Sequence, residues 1–169
     1  DLRKTQDLGL SGVPINDKNT DPIITKGYGI YIDPLNPKEY VIYADVSSDP
    51  TNPLAVSDQK YSGDPYVRCD GIDQDAHGIC KTDCVIDIID LSKENSSLSI
   101  KEIRDVKNNI LITFPISINF MPPDPIIKIT DNKEPPNFYP TVKIVFKNTD
   151  GSERTVLANT SGLINVQTN

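Results

Sequence analysis

The sequence predicts a mainly β protein, an antiparallel double sheet or sandwich that follows the remnant of an N-terminal helix. Isoleucine and valine are frequent among the hydrophobic residues, which make up 37% of the chain, and β-branched side chains fit a pleated sheet better than a helix. The 14 prolines interrupt the chain too often for long helices. Short runs of alternating apolar and polar residues recur between turn residues, as in antiparallel sheets.

The chain is predicted to have two parts. Residues 1–25 are polar and rich in turn residues, and we interpret them as a connector that ends a helix, because residues 2–7 suit a helical turn. Residues 26–169 are predicted to form one β-rich globular domain. It opens with a hairpin, since the β-rich runs 28–33 and 39–46 are joined by an Asp/Pro/Asn turn.

Four tyrosines alternate along this hairpin, at Tyr28, Tyr31, Tyr40 and Tyr43. Their spacing predicts aromatic packing across the two strands.

A long polar insertion, residues 47–83, interrupts the domain after the hairpin. A loop of this length with no strand or helix of its own is typically functional or disordered. A further series of strands follows the insertion. We predict these strands at 84–91, 98–106, 110–114, 116–120, 126–130, 141–147, 155–159 and 163–167. The Asp150–Gly151 pair and the Ser161–Gly162 pair predict the tight turns of the last two hairpins.

The charge of the chain bears on its partners. Its formal net charge is −7, and Lys and Arg form no long run, so nothing in the sequence favours binding to nucleic acid. No stretch reaches the roughly 18–20 apolar residues that cross a bilayer. The chain opens at Asp1 without a methionine, and we interpret it as part of a longer protein.

Several segments, taken in order, resemble the type IV pilin and type II secretion pseudopilin superfamily. Gly-Tyr-Gly-Ile-Tyr-Ile at 27–32 and Tyr-Val-Ile-Tyr-Ala-Asp at 40–45 are similar to the first hairpin of minor pilins and H-type pseudopilins. Ile-Ser-Ile-Asn-Phe-Met-Pro-Pro-Asp-Pro at 116–125 resembles a segment common in prepilin-like proteins. The ending at 156–166 is similar to the Gly-containing close of many pseudopilins.

This resemblance implies a structural subunit that acts by assembly and surface contact, and no enzyme activity. Its partners would be other pilin or pseudopilin subunits and the assembly machinery. An apolar N-terminal helix, absent from this sequence, would anchor the subunit in the cytoplasmic membrane before assembly, and the head would then lie on a cell-surface filament. The alternative from another class is a stand-alone extracellular adhesin or a carbohydrate-binding β-sandwich module.

The three cysteines and the single histidine lie close together, at Cys69, His77, Cys80 and Cys84. In an exported domain two of the cysteines are expected to form a disulfide bond, with Cys69 paired to Cys80 or Cys84. Such a bond would stabilise the fold by about 2–4 kcal/mol. The same four residues also form a Cys₃His set for zinc, although the Cys-x-x-Cys pairs of usual zinc modules are absent.

Four aspartates in the same region form a possible calcium site. Asp70, Asp73, Asp75 and Asp83 offer the carboxylate oxygens that Ca²⁺ prefers. The spacing resembles the start of an EF-hand loop, but Cys84 stands where that loop has its bidentate Glu. The alternative is an ordinary acidic, solvated loop, so no cofactor is required. No Gly-x-Ser-x-Gly, phosphate-binding or His-Glu-x-x-His motif occurs, so no motif points to catalysis.

Overall fold

In a computed structural model, the described residues form a double-sheet β fold. The structure describes residues 2–11, 15–16, 22–23, 25–46, 59–61, 83–94, 97–121 and 126–168. The predicted mainly β class is therefore confirmed, with two antiparallel five-stranded sheets and short helices in the described part of the chain.

The elements follow one another along the chain as α1 (Leu2–Ser11), β1 (Ile15–Asn16), β2 (Pro22–Ile23), β3 (Thr25–Ile32), β4 (Glu39–Val46), β5 (Cys84–Asp90), α2 (Leu91–Glu94), β6 (Ser99–Asp105), β7 (Ile110–Leu111), β8 (Ile116–Met121), β9 (Ile126–Asp131), β10 (Thr141–Lys147), β11 (Glu153–Asn159) and β12 (Ile164–Thr168). In the first sheet the strand order is β5-β4-β3-β8-β9, and in the second it is β12-β11-β10-β6-β7. The strands β1 and β2 pair only with each other.

The turns predicted from sequence join the strands as expected. The hairpin of β3 and β4 turns at residues 33–38, and the hairpin of β10 and β11 turns at Asp150 and Gly151. Gly151 and Gly162 both have φ of +88°, a backbone conformation that side chains with a Cβ rarely adopt. These glycines therefore account for the two tight turns.

One predicted strand is shorter than expected. The run 110–114 was predicted as a strand, but β7 ends at Leu111. The Ile112 N–H still donates to the Ile103 carbonyl at 2.8 Å, and the chain then crosses to β8 of the other sheet. Pro115, which has no N–H for a strand ladder, then separates this run from β8.

The core lies between the two sheets and consists mainly of isoleucine. Ile30, Ile42 and Ile118 of the first sheet and Ile103 and Ile144 of the second are almost fully buried within one cluster. Because side chains alternate between the two faces of a strand, every second residue of β8 enters this core. Each such side chain contributes roughly 1.5–3 kcal/mol when fully buried.

The helix α1 is packed against the first sheet. Its buried residues Thr5 and Gly9 lie on the face that meets β3 and β8, and Lys4 and Asp7 are exposed. A Cβ atom at Gly9 would lie 2.7 Å from Cβ of Phe120, so only glycine allows this close approach. The spacing of the buried positions is that of one helix face. The predicted helix remnant is thus part of the folded domain.

The outer face of the first sheet is also covered. Tyr31 and Tyr43 point to this face, and the ring of Tyr61 packs against both, with centroids 5.0 and 4.9 Å away. In the β3–β4 register Tyr28 lies opposite Ala44, Tyr31 opposite Val41 and Tyr43 opposite Gly29, so these tyrosines are not paired directly across the hairpin. The partner of these rings comes from the insertion instead.

Candidate functional site

A concave surface in the described part of the chain lies where two connections between the sheets meet. One wall is the β6–β7 turn with the start of the crossover to β8, and the other is the β9–β10 connection. Each wall begins with an aspartate at the last position of a strand, Asp105 in β6 and Asp131 in β9. Both carboxylates are buried and point back into their own turns.

Asp105 organises the first wall. Its Oδ1 accepts the Lys107 N–H at 3.0 Å, and its Oδ2 accepts the Asn108 side-chain amide at 2.6 Å. Asn109 then takes a positive φ of 53°, which Asn tolerates better than most residues. The turn therefore presents Ile110 and Leu111 in a fixed orientation.

Asp131 organises the second wall. Its Oδ1 accepts the Asn137 N–H at 2.8 Å and the Lys133 N–H at 3.3 Å. Its Oδ2 accepts the Asn137 side-chain amide at 2.7 Å and the Tyr139 hydroxyl at 2.8 Å. Burial alone raises the pKa of the Asp131 carboxyl, but these hydrogen bonds together lower it below its ordinary value. Burial and the hydrogen bond to Asp131 raise the pKa of Tyr139.

The second wall also covers the edge of the first sheet. The Tyr139 N–H donates to the Ile129 carbonyl at 3.0 Å, and the Asp131 N–H donates to the Asn137 carbonyl at 3.2 Å. These bonds satisfy outward-facing backbone groups of β9, which is the edge strand. The connection is therefore fixed along its length and not a free loop.

Between the walls lies a groove of about 350 Å³ with apolar sides. We call it the apolar groove and define it by Ile110, Leu111, Phe114 and Phe138. All four side chains are exposed, Ile110 to 59% and Phe138 to 61%. Exposed apolar residues that occur singly are common, whereas here four of them line one groove.

Lysines surround the apolar groove. The Lys133 ammonium lies 4.1 Å from the centroid of the Phe114 ring, and the Lys128 ammonium lies 4.9 Å from that of Phe138. The exposed Lys107 lies on the opposite wall. None of the three forms an ion pair with another described residue. The groove can therefore hold an apolar group beside an anionic or hydrogen-bond-accepting one.

Acid should weaken the second wall through Asp131. Because its folded-state pKa lies below the unfolded value of about 3.9, its stabilisation is present above that pH and is lost as pH falls through the folded pKa. We expect Asp131→Asn to lower the free energy of unfolding by about 1.5–3 kcal/mol near pH 7, through the lost charged hydrogen bonds.

The difference between the two proteins should shrink towards about pH 2, where the wild-type carboxyl is protonated. Urea denaturation of both proteins over this pH range would measure this difference in the free energy of unfolding. Asp150→Asn is the matched control, since that exposed carboxylate bonds only within its own turn, and its effect should be much smaller. A difference that stays constant with pH would contradict the assignment to Asp131.

A second polar cluster lies buried on the outer face of the first sheet. The Asn119 side-chain amide donates to Asp45 Oδ2 at 2.6 Å, and both residues are fully buried beside Tyr43. Burial raises the pKa of Tyr43 well above its ordinary value, and the carboxylates of Asp83 and Asp45 add to this. Tyr61 packs over Tyr43 on this face, and we interpret the cluster as structural.

Most of the predicted site residues lie outside the described part of the chain. This applies to Cys69, Asp70, Asp73, Asp75, His77 and Cys80. Asp83 is described and buried, and its Oδ1 accepts the Val46 N–H at 3.1 Å. Its carboxylate therefore holds β4, and the predicted calcium site stays a prediction.

Cys84 is fully buried at the start of β5, opposite Ala44, and is disulfide-bonded. Zinc binds a thiolate, so the disulfide bond and zinc ligation are alternatives at this residue. With three cysteines in the chain, the partner in the same chain is Cys69 or Cys80, and the choice between them stays a prediction. Among the residues that are described, no group of three His, Cys, Asp or Glu side chains could hold a metal ion.

Sequence reasoning missed the apolar groove. Its four defining residues were predicted as strand interior or left unassigned, because separate crossovers bring them together. One signal was available: Phe114-Pro115 and Phe138-Tyr139-Pro140 place aromatic residues beside prolines, at points where a strand cannot continue.

Comparisons with known proteins give no family assignment. No family model, curated protein or solved structure matches the chain significantly. Within the described ranges, no helix is both long and apolar enough to cross a membrane. The resemblance to pilins and pseudopilins therefore depends on the sequence segments alone.

Proposed function

We propose that this chain is the head of a pilin-like or pseudopilin-like subunit, which acts by assembling into a cell-surface filament. Its partners would be further subunits and the assembly machinery, with anchoring in the cytoplasmic membrane before assembly. The proposal combines the ordered sequence resemblance with the way in which the N-terminal helix joins the β domain.

The docking of α1 is the observation that carries the proposal. A subunit that assembles through a helix must transmit the position of that helix to its head. Here Gly9 brings the helix against Phe120, and the Gln6 side-chain amide donates to the Gly162 carbonyl at 3.1 Å. The helix thus contacts the first sheet and the last turn of the second sheet. Helix and head are joined as one packed unit.

The exposed apolar groove supports the same function. Subunits that assemble need apolar surface that remains free in the isolated head, and the groove offers four such side chains. Its walls are fixed by Asp105 and Asp131, so the surface is formed before a partner arrives. A fixed surface loses little conformational entropy on binding.

The test is whether the native full-length protein enters filaments. Surface filaments would be sheared from the source cells and probed with an antibody against the head. We expect the protein in the filament fraction and in the cell membrane, and little as free protein in the medium. A protein found only in the medium would contradict the proposal.

A variant of the full-length protein tests the role of the helix joint. Gly9→Leu places a side chain where a Cβ already lies 2.9 Å from the Phe120 carbonyl oxygen, so the helix must move away from the head. We expect the amount in filaments to fall by about tenfold or more, which corresponds to a loss of about 1.4 kcal/mol or more in assembly. Asp7→Ala, on the exposed side of the same helix, is the control and should assemble normally. Circular dichroism would check that both heads remain folded.

The alternative function, a stand-alone adhesin or carbohydrate-binding module, has one observation in its favour. Phe114 and Phe138 expose aromatic surface at the edge of a β domain, and such surface can contact a ligand. Secretion into the medium together with binding to a glycan array would support this alternative. Loss of that binding in Phe138→Ala would assign it to the groove.

A further inference from the structure

The most exposed apolar side chain in the described part of the chain is Leu35, which is 82% exposed. It lies at the tip of the β3–β4 hairpin, between Pro34 and Asn36. The Leu35 N–H donates to Asp33 Oδ1 at 2.9 Å, and the Asn36 N–H donates to the Asp33 carbonyl at 3.0 Å. The turn therefore presents a leucine outwards on a fixed backbone, with the partly buried Asp33 carboxylate beside it.

The tip and the apolar groove lie at opposite ends of β6. The Ile100 N–H, near the start of β6, donates to the Pro37 carbonyl in the hairpin turn at 2.7 Å. The groove is built on the turn after Asp105, the last residue of β6. Five residue steps of strand separate Ile100 from Asp105, which is about 17 Å. The hairpin tip of one copy is thus directed away from its own groove.

The two surfaces are complementary in shape and charge. Leu35 is a single apolar protrusion, and the groove of about 350 Å³ has apolar walls. The Asp33 carboxylate would meet the lysine rim, where Lys107 and Lys133 form no ion pair with another described residue. Lys38 is the cation of the hairpin turn. It follows Pro37 on the side of the turn that returns towards α2, and the Lys38 carbonyl accepts the Leu91 N–H.

The net charge makes this local match important. Two copies that each carry a net charge of −7 repel each other, so contact requires a place where positive charge meets negative charge. The lysine rim provides such a place on an otherwise acidic protein. Opposite charges then select the orientation in which the copies meet.

We propose that Leu35 of one copy of this chain inserts into the apolar groove of a second copy, with Asp33 against the lysine rim. The proposal rests on the proposed function, since it names the head surfaces that meet in the assembly. The two surfaces differ and lie at opposite ends of β6, so the contact is heterologous. A heterologous contact leaves a free tip and a free groove at the two ends and adds further copies in a row.

Self-association of the whole chain tests the contact. Sedimentation equilibrium up to about 1 mM would measure association for the wild type, for Leu35→Asp and for the control Leu163→Asp. Leu163 is another exposed leucine, in the β11–β12 turn, and it does not line the groove. We expect Leu35→Asp to weaken association by about tenfold or more, and Leu163→Asp to leave it within about twofold.

Mixing two variants tests that the tip and the groove belong to one contact. Leu35→Asp keeps the groove, and Phe138→Asp keeps the tip, so each alone should associate at least about tenfold more weakly than the wild type. A mixture should form a dimer of one copy of each, which grows no further because the remaining tip and groove are both disabled. Circular dichroism would confirm that both variants are folded, as expected for side chains with this exposure.

Three results would overturn the proposal: a wild type that stays monomeric throughout, equal association of Leu35→Asp, or no dimer in the mixture. If Phe138→Asp weakened association and Leu35→Asp did not, the groove would hold a segment other than the hairpin tip. Filament preparations distinguish a failure of the contact between Leu35 and the groove from a failure of the proposed function. If full-length Leu35→Asp enters filaments normally, the contact is wrong and the filament function stands. If the wild type never enters filaments, the function itself is wrong.

Discussion

Replacing Gly29 by alanine should lower the free energy of unfolding by about 3 kcal/mol, although it adds only one methyl group. A Cβ atom at this position would lie 2.5 Å from both Cε1 and the hydroxyl oxygen of Tyr43. The Tyr43 ring is fully buried and packs against Tyr61 at 4.9 Å, so it has no space into which it can move. The central strand β3 therefore requires a residue without a side chain at position 29. Chemical denaturation would measure the loss.

Two further variants identify the cause of this loss. In a Tyr43→Leu background, which removes the atoms that collide, Gly29→Ala should cost less than about 1 kcal/mol. Gly151→Ala is the matched glycine control: nothing lies within 4 Å of a Cβ there, and its φ of +88° should cost about 1 kcal/mol through the backbone alone. An equal cost of Gly29→Ala in both backgrounds would mean that the collision with Tyr43 is not the reason.

The strands and their hairpins were predictable because their signals are local. Strands such as β8 alternate every second residue, and the core side of that alternation is the side the structure buries. The turns at Gly151 and Gly162 contain the residue that a positive φ requires. Where the fold depended on neighbouring residues alone, sequence reasoning located each described strand from β3 onwards to within a few residues.

The role of the aspartates was harder to predict. Acidic residues had suggested a solvated surface and a calcium loop, yet in the described part of the chain an Asp or Asn repeatedly accepts the N–H two residues ahead. This occurs at Asp33, Asp90, Asp105, Asp131, Asp150 and Asn159. Five of the 24 acidic residues therefore accept hydrogen bonds within turns. Sequence alone does not separate a carboxylate that closes a turn from one that awaits a cation.

Local pattern places aromatic residues beside prolines, but it does not show that they line one groove or that Tyr61 is buried. Both involve segments that are distant along the chain: Leu111 and Phe138 line one groove from separate connections, and Tyr61 packs against Tyr31 and Tyr43. The insertion was interpreted as one long polar loop, and Tyr61 has no periodic neighbours that would identify it as a core residue. Only the arrangement of the sheets decides which isolated aromatic residue becomes buried.

Replacing Tyr61 by alanine should therefore have the largest effect, a loss of about 3–5 kcal/mol in the free energy of unfolding. The side chain is 1% exposed and its ring packs against Tyr31 and Tyr43. Its backbone is also held, since the Tyr61 N–H donates to Ser117 Oγ at 2.9 Å and its carbonyl accepts the Asn132 side-chain amide at 3.3 Å. The variant removes the ring and leaves Tyr43 beside an empty space. Urea denaturation would measure the loss.

Limited proteolysis separates local release of this segment from general unfolding. Trypsin cleaves after Lys60, whose ammonium pairs with Glu134 and whose neighbour Tyr61 holds the segment against the sheet. We expect Tyr61→Ala to speed this cleavage by at least about tenfold under conditions where circular dichroism shows a folded protein. Phe138→Ala removes an aromatic ring that is 61% exposed and should change neither stability nor cleavage appreciably. If both variants behaved alike, Tyr61 would not be the anchor, and the outer face of the first sheet would be stable without the insertion.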